Sequence, residues 1–299
     1  MNGDALTLQG LYLLGKKQLS GLPGGEDNSP MEAQFLWEKA LGLDRRERLL
    51  RGNDPAPEEG AAAFFDLIRR RLAGEPLQYL LGEWEFYGLP FEVGPGVLIP
   101  RPETELLVDR ALAAAEGRPS PALLDLCSGS GCVPVALGKK LPGAKIWGVE
   151  LSPEALGYFR RNIQRNRAEN VFAVAGDVFA MPEEVTGRRY RVITANPPYI
   201  PRGELASLQA EVRREPALAL DGGADGLDFY RRLPALCFPL LEPGGLLVFE
   251  IGEGQGQAVA GLLREAGYQD IRVNRDLSGL ERQAEGRRPS RETGRTSLP

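Results

Sequence analysis

The chain has 299 residues, 42% of them apolar, with 41 acidic against 36 basic side chains and a net charge of −5. That length and apolar share suit one large or two ordinary domains and exclude a disordered or fibrous class, while the acidic balance, with a pI near 5.2, argues against affinity built on neutralising nucleic-acid phosphates. There are no histidines, which excludes Ser/His/Asp and Cys/His nucleophilic machinery and His-ligated metal sites.

The three cysteines, Cys127, Cys132 and Cys237, form neither a disulfide framework nor a C-x-x-C pair, so a reducing compartment and no metal are expected. No apolar run reaches the eighteen or so residues of a membrane span. The start "MNGDALTLQG" has neither the basic nor the apolar region of a signal peptide. A cytoplasmic protein without a membrane partner is expected.

In chain order, helical spacing covers Ala5 to Leu19, then "SPMEAQFLWEKALGL" with Ser29 as a cap before Pro30, then "EEGAAAFFDLIRRRLAG" closing on Gly74. The polar loop "RGNDPAPEEG" separates the last two. A small helical domain over residues 1–80 follows from this. "WEFYGLPFEVGPGVLIP" mixes aromatic and β-branched residues with Gly/Pro turns and reads as a hairpin connector over 81–100. "RPETELLVDRALAAAEG" then reads as a helix with Pro102 in its first turn and Gly117 at its end.

From Pro121 the pattern alternates. "ALLDLC", "AKIWGVE", "VFAVAGD", "YRVITAN" and "GGLLVFEIG" read as buried strands with helical segments between them, which predicts an α/β domain with a parallel sheet covered on both faces. "GYQDIRVNRDLSGLERQ" adds strands at the end. The run Gln283, Ala284, Glu285 reads as a poor strand, so the α/β domain is bounded at 101–283 and residues 284–299 are expected to be a flexible tail.

"LLDLCSGSGCVPVALGKK" puts Asp125 at a strand end, then Gly129 and Gly131, then a helix whose amino terminus presents free N–H groups. A dinucleotide fingerprint would need a third glycine where Pro134 stands. The next strand ends on Glu150, placed to accept ribose hydroxyls; the third brings Asp177 and Val178 to the same edge, and the fourth brings Asn196. Taken singly, a G-x-G loop is a turn, a strand-end acid is a helix cap, and Cys127 and Cys132 are small apolar residues with no base to activate them. Taken together and in order, they point to an adenosine-type ligand without a phosphate tail.

At this point the residues resemble the Rossmann-like S-adenosylmethionine-dependent methyltransferases, through "DLCSGSG", "VELS", "GDVF" and "NPPYI". More narrowly, "QYLLGEWEFYGLPFEVGPGVLIPRPETELLV", "NPPYIP", "EVRREPALALDGGADGLDFYRRL" and "RDLSGLER" are similar to the peptide chain release factor N5-glutamine methyltransferases, the PrmC/HemK family. The resemblance implies S-adenosylmethionine as cofactor, release factors as protein partners, and methylation of the glutamine in their Gly-Gly-Gln motif; a monomer is the separate expectation for the chain. It implies that Cys127, Ser128, Gly129, Ser130 and Gly131 cradle the methionine part, with Asp125 and Asn196 also at the cofactor. Glu150 would hold the ribose, and Asp177 with Val178 would sit by the adenine. Asn196, Pro197, Pro198 and Tyr199 would bind the substrate glutamine, with Asn196, Pro197 and Tyr199 carrying the catalysis. The loop departs from many relatives in having Cys127 where they have glycine.

An amide nitrogen is a weak nucleophile, because its lone pair is delocalised into the carbonyl. Asn196 Oδ1 and the Pro197 carbonyl can each accept one N–H and fix the NH₂ group for in-line attack. The prolines stiffen the loop and cannot pair into a further strand, and Tyr199 can pack on the amide plane. Two rivals remain: an N6-adenine methyltransferase acting on DNA or RNA, since such a loop also suits a flipped adenine amine, and a non-catalytic binding protein. The acidic pI and the lack of a nucleic-acid module count against the first. Intact acids at the strand ends count against the second.

Overall fold

The structure, a computed structural model, describes residues 6–22 and 25–290. The chain divides into two compact units, Met1–Glu83 with Gln209–Arg214, and Trp84–Leu208 with Glu215–Pro299.

The first unit is helical: α1 Leu8–Leu19, α2 Gly25–Leu41, α3 Arg45–Leu50, α4 Glu58–Leu72 and α5 Leu77–Leu81. Its centre is Leu11, Leu36, Trp37 and Phe64, all fully buried, and the Trp37 indole donates to the Leu8 carbonyl at 3.1 Å. Helix α2 starts before Ser29, so Ser29 and Pro30 lie inside it, and Ser29 does not act as its cap. Helix α3 arises from an Asp44–Glu47 capping box, with Asp44 Oδ1 accepting from the Glu47 N–H at 2.8 Å. The segment Gln209–Arg214 is anchored here: the buried Arg71 meets Glu32 at 2.7 Å and Glu211 at 2.6 Å.

From Trp84 on, the second unit contains the rest of the hairpin formed by β1 Glu83–Phe86 and β2 Leu89–Glu92, turned by Tyr87 and Gly88 at positive φ. Helix α6 Glu105–Ala115 leads into β3 Ala122–Leu126, α7 Cys132–Lys140, β4 Lys145–Glu150, α8 Pro153–Asn166, β5 Val171–Ala175, α9 Glu183–Thr186 and β6 Tyr190–Ala195. Helix α10 Asp228–Cys237, β7 Leu241–Glu250, α11 Gly256–Glu265, β8 Gln269–Arg275 and β9 Glu281–Arg287 complete it. The sheet order is β5-β4-β3-β6-β7-β9-β8, parallel through β7. Alternate residues face two apolar layers: Leu123, Ile146, Val192 and Val248 pack with α6, α7 and α8, and Leu124, Val149, Ile193 and Phe249 pack with α10 and α11. This is the expected doubly covered, Rossmann-like arrangement.

One expectation is corrected. Residues 284–287 are not tail: they continue β9, which lies between β7 and β8 and is antiparallel to both. The strand looks poor because its buried carboxylate, Glu285, finds its charge partner far away in sequence. Glu285 receives both ends of the Arg110 guanidinium, at 2.7 and 2.6 Å, and the Asn274 amide at 3.2 Å. Ala284 supplies the buried apolar contact on the other face. Residues 291–299 of the expected tail lie outside the described residues. Among the described residues no helix is long and apolar enough to cross a membrane.

Candidate active site at the carboxyl edge of the sheet

Strands β3 to β6 end at one edge, and the winding direction changes between neighbouring β3 and β6, where a doubly wound sheet opens a crevice. Asp125 on β3 is buried, and its Oδ1 accepts from the Thr194 hydroxyl of β6 at 2.6 Å. Burial lifts its pKa to about 7, against the opposing hydrogen bonds from Thr194 and Ser128. After β3 the chain takes positive φ at Cys127, Gly129 and Gly131. At Gly131 a Cβ would lie 2.0 Å from the Phe159 ring, so glycine is required there by space as well as by φ. Cys127 adopts the same left-handed region despite its side chain, a strain of about 1–2 kcal/mol.

Glu150 at the end of β4 folds back onto this loop. Its Oε2 accepts from the Gly129 N–H and its Oε1 from the Ser152 N–H, both at 2.7 Å. Burial raises its pKa, and the backbone donors at Ser152, Gly129 and Leu151 oppose the rise. Each oxygen keeps a second lone pair, the arrangement that a pair of neighbouring ribose hydroxyls would use. Beyond β5, Asp177 Oδ1 accepts from the Phe179 N–H at 2.8 Å, and Val178 is buried. Burial pushes the Cys127 thiol well above its ordinary value, followed by Glu150 and Asp125; it stays protonated and acts as a small wall residue.

Beyond β6, Asn196 Nδ2 donates to Thr104 Oγ1 at 3.2 Å, and Thr104 Oγ1 donates to Glu250 Oε2 at 2.7 Å. Thr104 and Glu250 are both 3% exposed. Among the described residues no donor meets Asn196 Oδ1. The loop is held by backbone bonds from Ile200 to Leu220, from Gly222 to Ile200 and from Arg202 to Gly223, at 3.0, 2.9 and 2.8 Å. Gln255 Nε2 also donates to the Tyr199 carbonyl at 3.0 Å. Burial raises the Tyr199 phenol, so it is neutral at physiological pH.

A cavity of about 240 Å³ joins these strand ends. Of the residues read from the sequence, Cys127, Gly129, Glu150, Asp177, Val178, Asn196 and Pro198 line it. Asp125, Ser128, Ser130 and Gly131 are buried and shape the loop without lining the wall, and Pro197 and Tyr199 also lie off it. Val97, Leu98, Phe179, Leu218 and Phe229 complete an apolar lining that the sequence reading missed. The "GVLIP" run carries Val97 and Leu98 of this lining, but its Gly/Pro turns and β-branched residues equally suit a hairpin. Thr104, Glu250 and Gln255 were missed too; nothing local in the chain marks them.

The chain matches two described families: the PrmC N-terminal domain over residues 15–82 and the Methyltransferase small domain over residues 102–213. It is 44% identical to a release factor glutamine methyltransferase of Geobacter sulfurreducens, over 88% of this chain and 91% of that protein. It is 40% identical to one of Thermodesulfovibrio yellowstonii, over 84% and 90%. Among solved structures it resembles the hMettl16 catalytic domain crystallised with an RNA hairpin, at 14% identity and a TM-score of 0.57, over 78% of this chain and 81% of that one. At that identity the likeness shows the fold alone.

Proposed function

The chain belongs to the release factor glutamine methyltransferases, and on that premise we propose which of its residues carry S-adenosylmethionine-dependent methylation of a release factor glutamine, at the side-chain nitrogen of the Gly-Gly-Gln motif. The observation that carries the assignment is that Glu150 and Asn196 line one cavity. An acceptor suited to a ribose and an acceptor suited to an amide nitrogen thus address the same space.

The residues fit the cofactor. Glu150 retains lone pairs for a diol, the Gly129 loop leaves room for close approach, and Val178, Leu151 and Phe179 offer apolar surface to a purine. Bound there, the cofactor supplies an electrophilic methyl group on a positively charged sulfur. Asn196 Oδ1 accepts one N–H of the substrate amide and the Pro197 carbonyl the other. An amide held this way would have its lone pair free to face a methyl donor in the same cavity, and charge developing on the NH₂ group would meet two fixed acceptors. Tyr199 excludes water from the other side of the amide. No strong base is called for if the proton leaves after transfer, which suits a chain with no histidine.

The helical unit is the docking part for the release factor, the protein acts in the cytoplasm as a monomer, and it makes no direct nucleic-acid contact. The test incubates the protein with labelled S-adenosylmethionine and, separately, a release factor, DNA and ribosomal RNA. Label confined to the Gly-Gly-Gln peptide is expected; label on either nucleic acid overturns the reading in favour of N6-adenine methylation.

A further inference from the structure

A carboxamide has two ends of nearly equal size and opposite polarity. Whichever end of Asn196 faces outward decides whether it can accept from the reacting nitrogen. Resting on the functional reading above, we propose that Glu250 makes that choice through the Thr104 hydroxyl, so that Glu250 and Thr104 are positioning residues of the methyl transfer.

Proton accounting carries the argument. An ionised carboxylate only accepts, so the single Thr104 proton is committed to Glu250 Oε2 at 2.7 Å. The Thr104 oxygen is then left with lone pairs, and the only end of Asn196 that it can hold is the NH₂ group, found at 3.2 Å. Oδ1 is turned away by default and becomes the free acceptor. A protonated Glu250 can reverse every bond in the chain: it donates to Thr104, Thr104 donates to Oδ1, and the outward end becomes a donor that repels the substrate N–H. The relay is buried at Thr104 and Glu250, so water does not substitute for either partner.

The surroundings place this switch near neutrality. Burial, with Glu103 in the turn before α6, raises Glu250 to about 7, while Thr104, Arg282 on β9 and Asn196 pull the other way. The other titratable groups around it, Tyr199 of the loop, Tyr230 of α10 and Cys132 of α7, are all shifted upward and stay neutral. Across the β7–β9 ladder the facing residue is the neutral Gln283. The active form is the ionised one, so turnover climbs as pH rises through about 7.

The experiment measures methylation of a release factor between about pH 5.5 and 9, for the unaltered protein and for Glu250→Gln, Thr104→Val and Thr104→Ser, with the cofactor dissociation constant measured alongside. The unaltered protein should show a rate rising about tenfold per pH unit below neutrality. Glu250→Gln offers Thr104 a donor, and Thr104→Val removes the hydroxyl. Both should lose roughly a hundredfold in kcat with little change in KM or cofactor affinity, and Glu250→Gln should lose the acidic limb. Thr104→Ser should keep the rate. A flat profile in the unaltered protein, a Glu250→Gln variant with normal kcat and pH dependence, or a Thr104→Ser variant as impaired as Thr104→Val overturns the relay. If Thr104→Val does not fold, the unaltered profile and Thr104→Ser still decide. Absence of any label on release factor from the unaltered protein overturns the functional reading instead.

Discussion

On the proposed assignment, removing the Asn196 side chain would take away one of two acceptors for the substrate amide and nothing that Glu150 would offer the cofactor. Asn196→Ala should therefore abolish measurable turnover while calorimetry finds cofactor affinity nearly unchanged; parallel loss of both would contradict the role. Glu150→Ala should do the reverse, weakening cofactor binding by on the order of 1.5–3 kcal/mol through loss of hydrogen bonds to a charged acceptor. Asp125 carries a pH signature of its own. Its folded-state pKa, about 7, lies above the unfolded value near 4, so the stability it contributes is full below about pH 4 and is lost as pH rises through about 7. Asp125→Asn, which keeps an acceptor for the Thr194 hydroxyl, should gain in melting temperature relative to the parent as pH rises across that window. A constant difference between the two curves would show that Asp125 is not held as described.

At the scale of elements, β9 holds its place in the sheet through a charge pair. Glu285 is 3% exposed and depends on Arg110 of α6. Arg110→Ala should destabilise the fold by on the order of 3 kcal/mol in denaturant unfolding, and adding Glu285→Leu should recover much of the loss, because the penalty is an unpaired buried carboxylate and not a lost shape. The same pair explains why β9 escaped a reading by hydrophobic period. A strand that pairs a buried carboxylate with a side chain 175 residues away carries no local apolar alternation. The parallel strands were legible because their burial on both faces writes continuous apolar runs, and the glycine loop, Glu150, Asp177 and Asn196 were legible because each follows its own strand. Thr104 and Glu250 were not, since their contact spans 146 residues and exists only once α6 is laid against β7. Helix α3 had a readable start in Asp44 and Glu47, but it is only six residues long and gives no periodic face to support it.

At the scale of the whole molecule, the helical unit is not a continuous stretch of chain. It takes in Gln209–Arg214, anchored by Arg71 to Glu211 and by Arg214 to the Ala73 carbonyl at 3.1 Å. The segments on either side of that insertion, Asn196–Pro198 and Pro216–Ala219, both contribute wall residues to the cavity. Arg71→Ala should leave Glu32 and Glu211 without their shared cation, release the segment, and speed limited trypsin cleavage after Arg213 and Arg214; an unchanged cleavage rate would show that the anchor does not hold it. The insertion also sets an order of events during synthesis. Five helices can emerge and pack while the chain is still growing, but their unit is finished only when the ribosome has read past Arg214, by which time β3 to β6 have been made. The amino-terminal unit is thus begun first and completed late, and a nascent chain arrested before that point would carry Arg71 and Glu32 with the place of Glu211 unfilled.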